Sequence, residues 1–120
     1  MNDIIALTNA LTDIIVNISD KELQDLEIEK STFNLLDNIN SEKLLLTITG
    51  KQINYLPAGS PANVVFNLST LGLKTGLIGT IGNDTIGENY LNQLEKSGIQ
   101  SFLTKNQKRS GICYTLITPD

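Results

Sequence analysis

The residues best suited to bind a polar ligand lie in one segment, residues 57–63, with the sequence Pro-Ala-Gly-Ser-Pro-Ala-Asn. Gly59 gives the chain a flexible turn, and Ser60 followed by Pro61 is typical of a helix start. Free N–H groups at such a start favour polar or anionic ligands, and the amide of Asn63 can both donate and accept hydrogen bonds. A binding site is one interpretation; on spacing alone, an ordinary capped helix with Gly59 in a turn is the simpler one.

A second candidate is the glycine-rich segment 79–87, with the sequence Gly-Thr-Ile-Gly-Asn-Asp-Thr-Ile-Gly. Glycines after a strand and before a helix are typical of phosphate loops. This segment lacks both the G-x-G-x-x-G spacing of dinucleotide folds and the Gly-Lys-Ser/Thr of a P-loop. Tight turns and a helix cap explain it more simply, so we expect its glycines to be mainly structural.

Asp13 is the third candidate, because an acidic residue inside an apolar run is costly to bury without a partner. It could accept hydrogen bonds from sugar hydroxyls at the end of a sheet, or lie in solvent at a strand edge. Asn9, four residues earlier, belongs to the same neighbourhood. Cys113 stands in an apolar strand, where a small buried hydrophobe is the usual role.

The composition excludes several kinds of chemistry. Among the 120 residues there is no histidine, which removes Ser-His and Cys-His nucleophile pairs and histidine metal sites. The single cysteine permits no intrachain disulfide and suits a reducing compartment. A net charge of −4 without any basic run argues against nucleic-acid binding. Because no apolar run approaches the ~20 residues of a membrane span, and the N-terminus lacks a positive n-region, we expect a cytoplasmic protein that binds no membrane.

The elements that must position these residues alternate along the chain. Helices are predicted from Asp20 to about Leu26, over 42–49 after a Ser41 cap, over 60–71 after a Ser60 cap, and over 85–97 with a Thr85/Glu88 capping box. Strands are predicted at 3–7, 12–18, 31–36, 53–56, 75–81, 101–104 and 111–117. This alternation predicts an α/β fold with a mainly parallel sheet. Three of the predicted strands do not fit this alternation and predict a separate small sheet: residues 12–18, 31–36 and 111–117.

In this order the segments resemble the N-terminal part of PfkB-family carbohydrate kinases, the ribokinase superfamily. Residues 58–63 and 71–72 match the first family signature, which continues through Gly79-x-x-Gly82-x-Asp84-x-x-Gly87. Residues 9–16 resemble the opening strand, 29–37 resemble adenosine-kinase-like members, and 110–120 fit the following stretch. The likeness implies that residues 1–120 are the N-terminal part of one ribokinase-like domain. Its mainly parallel sheet would be flanked by helices, and a small β lid would use strands 12–18, 31–36 and 111–117.

The resemblance also implies site residues. It places Asp13 at the sugar hydroxyls, Asn9 near the base or ring, and Phe33 on the lid. The full set at the substrate is Asn9, Asp13, Phe33, Gly59, Ser60, Asn63 and Cys113. Three positions depart from the family pattern: Thr8 and Ala58 stand where glycine is expected, and Ser110 where Thr is usual. Ala58 has less backbone freedom than glycine, which would stiffen lid closure.

The function that the resemblance implies is ATP-dependent phosphorylation of a hydroxyl group on a nucleoside or sugar. ATP and Mg²⁺ serve the full-length family, whose catalytic Asp lies downstream in a Gly-Ala-Gly-Asp motif that these residues do not contain. We therefore expect the substrate side of a kinase, a fragment or a shortened gene product, with no activity alone and neither cofactor bound by its residues. The alternatives are a non-catalytic nucleoside-binding protein, a homodimer formed through the lid strands, and an unrelated doubly wound binding module.

Overall fold

The computed structural model describes all 120 residues. The chain forms two compact units: Met1–Ile14 with Tyr55–Cys113, here called the first unit, and Ile15–Asn54 with Tyr114–Asp120, the second unit. The elements in chain order are β1 (Ile4–Leu7), β2 (Leu11–Asn17), α1 (Asp20–Asp25), α2 (Asn38–Ile48), β3 (Ile53–Ala58), α3 (Ser60–Thr70), β4 (Thr75–Gly82), α4 (Thr85–Lys96), β5 (Gln100–Asn106) and β6 (Gly111–Ile117).

A parallel sheet of order β1-β4-β5 is the centre of the first unit. Ile4 pairs with Thr75, and Gly76 pairs with Gln100. Helices α3 and α4 pack against this sheet, which confirms the predicted α/β pattern. The buried core consists of Ala10, Ala62, Val65, Leu77, Ile81, Tyr90, Leu94 and Ile99.

The opposite face of the parallel sheet is apolar and exposed. Since side chains alternate along a strand, the pairing of Leu7 with Ile78 and of Ile78 with Phe102 puts all three on one face, together with Ile5. Each of the four is at least 41% exposed. Only the face that carries Ala6 and Leu77 is covered by helices in these 120 residues.

The helices of the first unit begin at the predicted residues, but their N-caps lie one residue before the predicted ones. The N-cap of α4 is Asp84 rather than Thr85, because its carboxylate accepts a hydrogen bond from the Gly87 N–H at 2.8 Å. The N-cap of α3 is Gly59 rather than Ser60, and no side chain caps this helix. Helix α3 buries Ala62 and Val65, whereas Val64 is 54% exposed.

A second sheet has the strand order β3-β2-β6. The predicted strand at 31–36 is wrong: these residues form no strand, and all of them are exposed. Ser31 takes a left-handed conformation with φ 60°, and the Thr32 hydroxyl donates to the Glu29 carbonyl at 2.6 Å, which closes a turn. Both edges of β2 are already occupied by β3 and β6, so the segment has no edge of that strand left to pair with.

Two capped helices characterise the second unit. Ser19 and Glu22 form a capping box at the start of α1, one residue before the predicted cap at Asp20. Asp37 caps α2 by accepting from the Asn40 N–H at 2.8 Å, so this helix begins before the predicted cap at Ser41. The buried core of the unit consists of Val16, Ile18, Leu23, Leu26, Leu44 and Ile48.

No helix of the chain combines the length and the hydrophobicity needed to span a bilayer.

Candidate binding cleft

An open cleft of about 650 Å³ lies in the first unit, where β1 ends and where β4 passes the start of α3. The carboxyl ends of parallel strands are the usual place for ligand sites in α/β folds. The volume is within the range of small-molecule sites, roughly 300–1,000 Å³. The lining residues are Leu7, Thr8, Asn9, Leu11, Gly59, Ser60, Pro61, Gly79 and Thr80.

Gly59 brings the start of α3 against the end of β1. Its φ of 111° lies in a region that L side chains rarely adopt. A Cβ atom at this position would lie 2.5 Å from the Thr8 Oγ1 atom and 2.7 Å from the Asn9 carbonyl oxygen. Only glycine therefore permits this approach. Because α3 has no side-chain cap, its first N–H groups remain for a ligand or water beside Ser60.

Tyr90 anchors the end of β3 from the neighbouring helix. It is buried, and its hydroxyl donates to the Ala58 carbonyl at 3.1 Å. Burial raises the pKa of the Tyr90 phenol to about 12. The sequence analysis did not assign this anchor, although a buried tyrosine hydroxyl generally requires a partner. The anchor holds Ala58 directly before Gly59.

Asp84 and Ser110 form a hydrogen-bonded pair, here called the Asp84–Ser110 clamp. The Asp84 carboxylate accepts from the Ser110 N–H at 2.8 Å and from the Ser110 hydroxyl at 2.7 Å. The same hydroxyl accepts from the Gly82 N–H at 2.9 Å. The bond from the Ser110 backbone lowers the pKa of Asp84, with further contributions from Gly87, the Ser110 hydroxyl and Arg109. The clamp fixes the residue before β6 to the turn between β4 and α4.

Asp13 lies on β2 and is half-buried, and its carboxylate makes no hydrogen bond or ion pair. It is not a lining residue of the cleft. Leu11 does line the cleft, and residues two apart on a strand point to the same face. Asp13 therefore points from the same face of β2 as Leu11, one step further along the strand.

The remaining predicted residues fall into two groups. Asn9, Gly59 and Ser60 line the cleft together. Asn63 and Cys113 do not: the Asn63 side chain is exposed in the first turn of α3, and Cys113 is half-buried on β6. Phe33 belongs to the second unit and is 82% exposed. The chain has no group of three or more His, Cys, Asp or Glu residues placed to hold a metal ion.

Comparison with known proteins gives the class of the chain. Residues 32–120 match the pfkB family carbohydrate kinase model, and the chain belongs to this family. The 5-dehydro-2-deoxygluconokinase of Clostridium perfringens is 36% identical over 70 residues, which cover 56% of this chain and 21% of that protein. The chain thus spans about a fifth of the length of the curated relatives that it matches.

Solved structures give the same fold. The adenosine kinase of Trypanosoma brucei brucei superposes with a TM-score of 0.86 at 24% identity, over 97% of this chain and 37% of that one. The adenosine kinase of Schistosoma mansoni in complex with adenosine gives 0.80 at 20% identity, over 95% of this chain and 35% of that one. The fold is therefore the N-terminal part of the ribokinase-like fold that the sequence predicted.

Proposed function

We propose that the cleft is the acceptor side of an ATP-dependent kinase that phosphorylates a hydroxyl group of a sugar or nucleoside. The observation that carries this proposal is the meeting of Asn9, Gly59 and Ser60 in one cleft of a pfkB-family chain. These residues come from parts of the sequence fifty residues apart. They converge at the carboxyl end of a parallel sheet, where α/β enzymes bind their ligands.

The lining groups suit a polyhydroxylated ligand. A sugar hydroxyl both donates and accepts hydrogen bonds, and so do the amide of Asn9 and the hydroxyl of Ser60. The first N–H groups of α3 add donors that no side chain of the protein uses. Asp13 has no partner and adds an acceptor on the face of β2 that also carries Leu11. In this proposal Asn63 and Cys113, both in the first unit, complete the site around the bound acceptor.

Phosphoryl transfer needs a base for the acceptor hydroxyl and a bound phosphoryl donor. The 120 residues contain no Gly-Ala-Gly-Asp motif and no P-loop. We therefore assign to them the binding and orientation of the acceptor alone. When ATP is bound it supplies the γ-phosphoryl group, and residues outside this sequence hold it and supply the base.

The names of similar proteins support two chemical classes of acceptor in this proposal. The C. perfringens relative is named for a deoxygluconate derivative, and the structural neighbours are named for adenosine. The sequence relative shares 36% of its aligned residues, whereas the structural neighbours share no more than 24% and support the fold alone. A monosaccharide derivative is accordingly the first acceptor to test, and a nucleoside the second.

An NMR titration of the 120-residue chain tests this proposal. Millimolar fructose, ribose or adenosine is expected to shift the backbone amide signals of Asn9, Gly59 and Ser60. Asn9→Ala should weaken the response severalfold because it removes a side chain of the cleft. Asn67→Ala is the matched control, since Asn67 is exposed on α3 and does not line the cleft. If no compound shifts these amides, or if both variants respond like the native chain, the proposal fails.

A further inference from the structure

Thr8 is the residue of the cleft that departs most clearly from the family pattern, because glycine is expected there. It follows β1 directly, and its N–H donates to the Ile78 carbonyl at 2.9 Å. The residue is only 6% exposed, yet Thr8 lines the cleft. A polar side chain that is buried in the protein and also borders a ligand-sized space needs a physical account.

Two glycines make the room that Thr8 occupies. The Thr8 Oγ1 atom lies 2.5 Å from the position that a Cβ atom at Gly59 would take. On the other side, the Thr8 carbonyl oxygen lies 2.9 Å, and its Cγ2 atom 3.4 Å, from the corresponding position at Gly79. Thr8 therefore fits between the start of α3 and β4 only because neither neighbour has a side chain. Its rotation is restricted by this packing.

The protein uses the Thr8 hydroxyl only weakly. Its one hydrogen bond goes to the Asn9 carbonyl oxygen at 3.4 Å. Ordinary O–H···O bonds are about 2.7–2.8 Å long, so this contact is at the outer limit of a hydrogen bond. Buried hydroxyl groups normally have a good partner in the protein or in ordered water. The oxygen therefore retains capacity to donate to, and accept from, a molecule in the cleft.

We propose that Thr8 is a specificity-determining residue of the cleft, whose hydroxyl group hydrogen-bonds a hydroxyl of the bound sugar moiety. This inference rests on the proposed acceptor site and adds a contact that glycine at this position would lack. The side chain is held between Gly59 and Gly79, so little rotational entropy is lost when the bond forms. Its methyl group lies on the other side, towards Gly79 of β4.

A matched pair of variants isolates the hydroxyl group. Thr8→Ser keeps the hydroxyl and Thr8→Ala removes it, whereas both lose the methyl group. One neutral hydrogen bond corresponds to about three- to tenfold in affinity. We expect Thr8→Ala to bind fructose or adenosine more weakly than Thr8→Ser by that factor, measured by NMR titration of the 120-residue chain. Thr8→Val repeats the comparison at nearly constant side-chain shape.

The ligand supplies the second half of the test. Mono-deoxy analogues of the better-binding compound are titrated into the native chain and into Thr8→Ala. For the analogue that lacks the contacted hydroxyl, the difference between the two proteins should vanish, and for the others it should persist. A role in packing alone predicts equal loss for Ser and Ala variants and no dependence on the analogue.

The outcomes separate the two proposals. Equal affinities of Thr8→Ser and Thr8→Ala would overturn the role of Thr8 while leaving the acceptor site in place. Absence of binding by the native chain to fructose, ribose and adenosine would overturn both. Amide exchange rates of β1 and β4 in each variant show whether the sheet has remained folded, and the Ser/Ala comparison is made between variants whose exchange rates match.

Discussion

The two units of the chain are stabilised in different ways. In the first unit, side chains reach backbone groups that are distant in sequence: Tyr90 bonds the Ala58 carbonyl, and the Asp84–Ser110 clamp spans 26 residues. In the second unit, the helix caps join residues three apart, as between Ser19 and Glu22 or between Asp37 and Asn40. Local bonds can form in any chain that has the right nearby residues. Long-range bonds to the backbone instead fix where separate elements lie, as a preformed cleft requires.

Three of the four ion pairs lie in the second unit, and the first unit has one, between Lys105 and Glu88. In the second unit, Lys51 pairs with Glu22 at 2.8 Å between half-buried side chains, and Lys30 pairs with Asp20 at 2.7 Å between exposed ones. Exposed pairs contribute little and are screened by salt. The Asp84 carboxylate of the first unit is instead satisfied mainly by uncharged N–H and O–H groups. The first unit should therefore be the less sensitive of the two to ionic strength.

The largest effect is expected from Gly59→Ala. A non-glycine residue in such a backbone conformation costs about 1–3 kcal/mol, and the overlap with Thr8 and Asn9 adds a similar amount. The first unit should lose roughly 3–5 kcal/mol of unfolding free energy, measured by urea denaturation with NMR detection. Gly72→Ala is the control, because its φ is also positive, at 91°, but nothing lies within 4 Å of the new Cβ. Equal losses in the two variants would show that the contact with β1 is not tight.

The next effect compares the clamp with a simple cap. Asp84→Ala should cost about 2–3 kcal/mol because it removes a cap together with charge-assisted bonds. Asp37→Ala in the second unit should cost about 1 kcal/mol, since one bond to the Asn40 N–H is lost. Asp84→Asn should fall between them: its amide oxygen can still accept from Gly87, but its NH₂ group cannot accept from the Ser110 N–H. Chemical denaturation of the three variants gives the ranking, and a cost for Asp84→Ala no larger than that for Asp37→Ala would contradict the clamp.

A smaller effect is expected when the pKa values of the Glu22 and Asp84 carboxyl groups are compared at low and high salt. Hydrogen bonding by Lys51, and then by the Ser19 backbone and hydroxyl groups, lowers the pKa of Glu22 to about 2, while the Ser110 backbone bond lowers the pKa of Asp84. A carboxyl group whose pKa is lowered by folding stabilises the folded state above its pKa in the unfolded chain, near 4. This stabilisation is lost as the pH falls through the pKa of the folded state. Carboxyl NMR titration should show that about 1 M salt raises the pKa of Glu22 more than that of Asp84. Lys51→Met should likewise raise the pKa of Glu22 alone; equal responses would mean that both sites rely on charge.

The smallest effect is expected from Tyr90→Phe. Losing the bond to the Ala58 carbonyl should cost the first unit about 1 kcal/mol. The raised pKa of about 12 means that the native phenol stays neutral, so this stability is present below about pH 10 and is lost as the pH rises through 12. Tyr55→Phe is the control, because Tyr55 is 41% exposed. Ultraviolet titration of both variants identifies which tyrosine ionises late, and denaturation gives the cost.

The sequence predicted the first unit better than the second for a physical reason. Glycine spacing and apolar periodicity are local signals, and in the first unit they coincide with the elements around β4 and α4. Residues 31–36 have β-forming composition as well, but a strand also needs a partner strand with a free edge. Both edges of β2 are occupied, by β3 and β6, and no local pattern in the sequence shows this. The caps of α1 and α4 lie one residue before the predicted ones because two capping residues stand side by side, as at Asp84 and Thr85.

The cleft residues, too, could be predicted from the sequence only in part. Asn9, Gly59 and Ser60 were predicted as site residues, and the structure brings them to one cleft. The anchor from Tyr90 and the Asp84–Ser110 clamp join residues 32 and 26 apart, so neither could be found from spacing along the chain. Thr8 was noticed only as a departure from glycine. Its place between Gly59 and Gly79 depends on three separate elements, which only the folded chain brings together.

The pairing of β1 with β4 has a consequence for synthesis of the chain on the ribosome. Ile4 is paired with Thr75, so the first strand must wait for about 70 further residues before its partner exists. At roughly 5–20 residues per second, this delay is about 4–14 s. The second unit waits longer, because its last segment, Tyr114–Asp120, is at the end of these 120 residues. An apolar segment such as Ile4–Leu7 is therefore accessible to chaperones for seconds before any sheet can protect it.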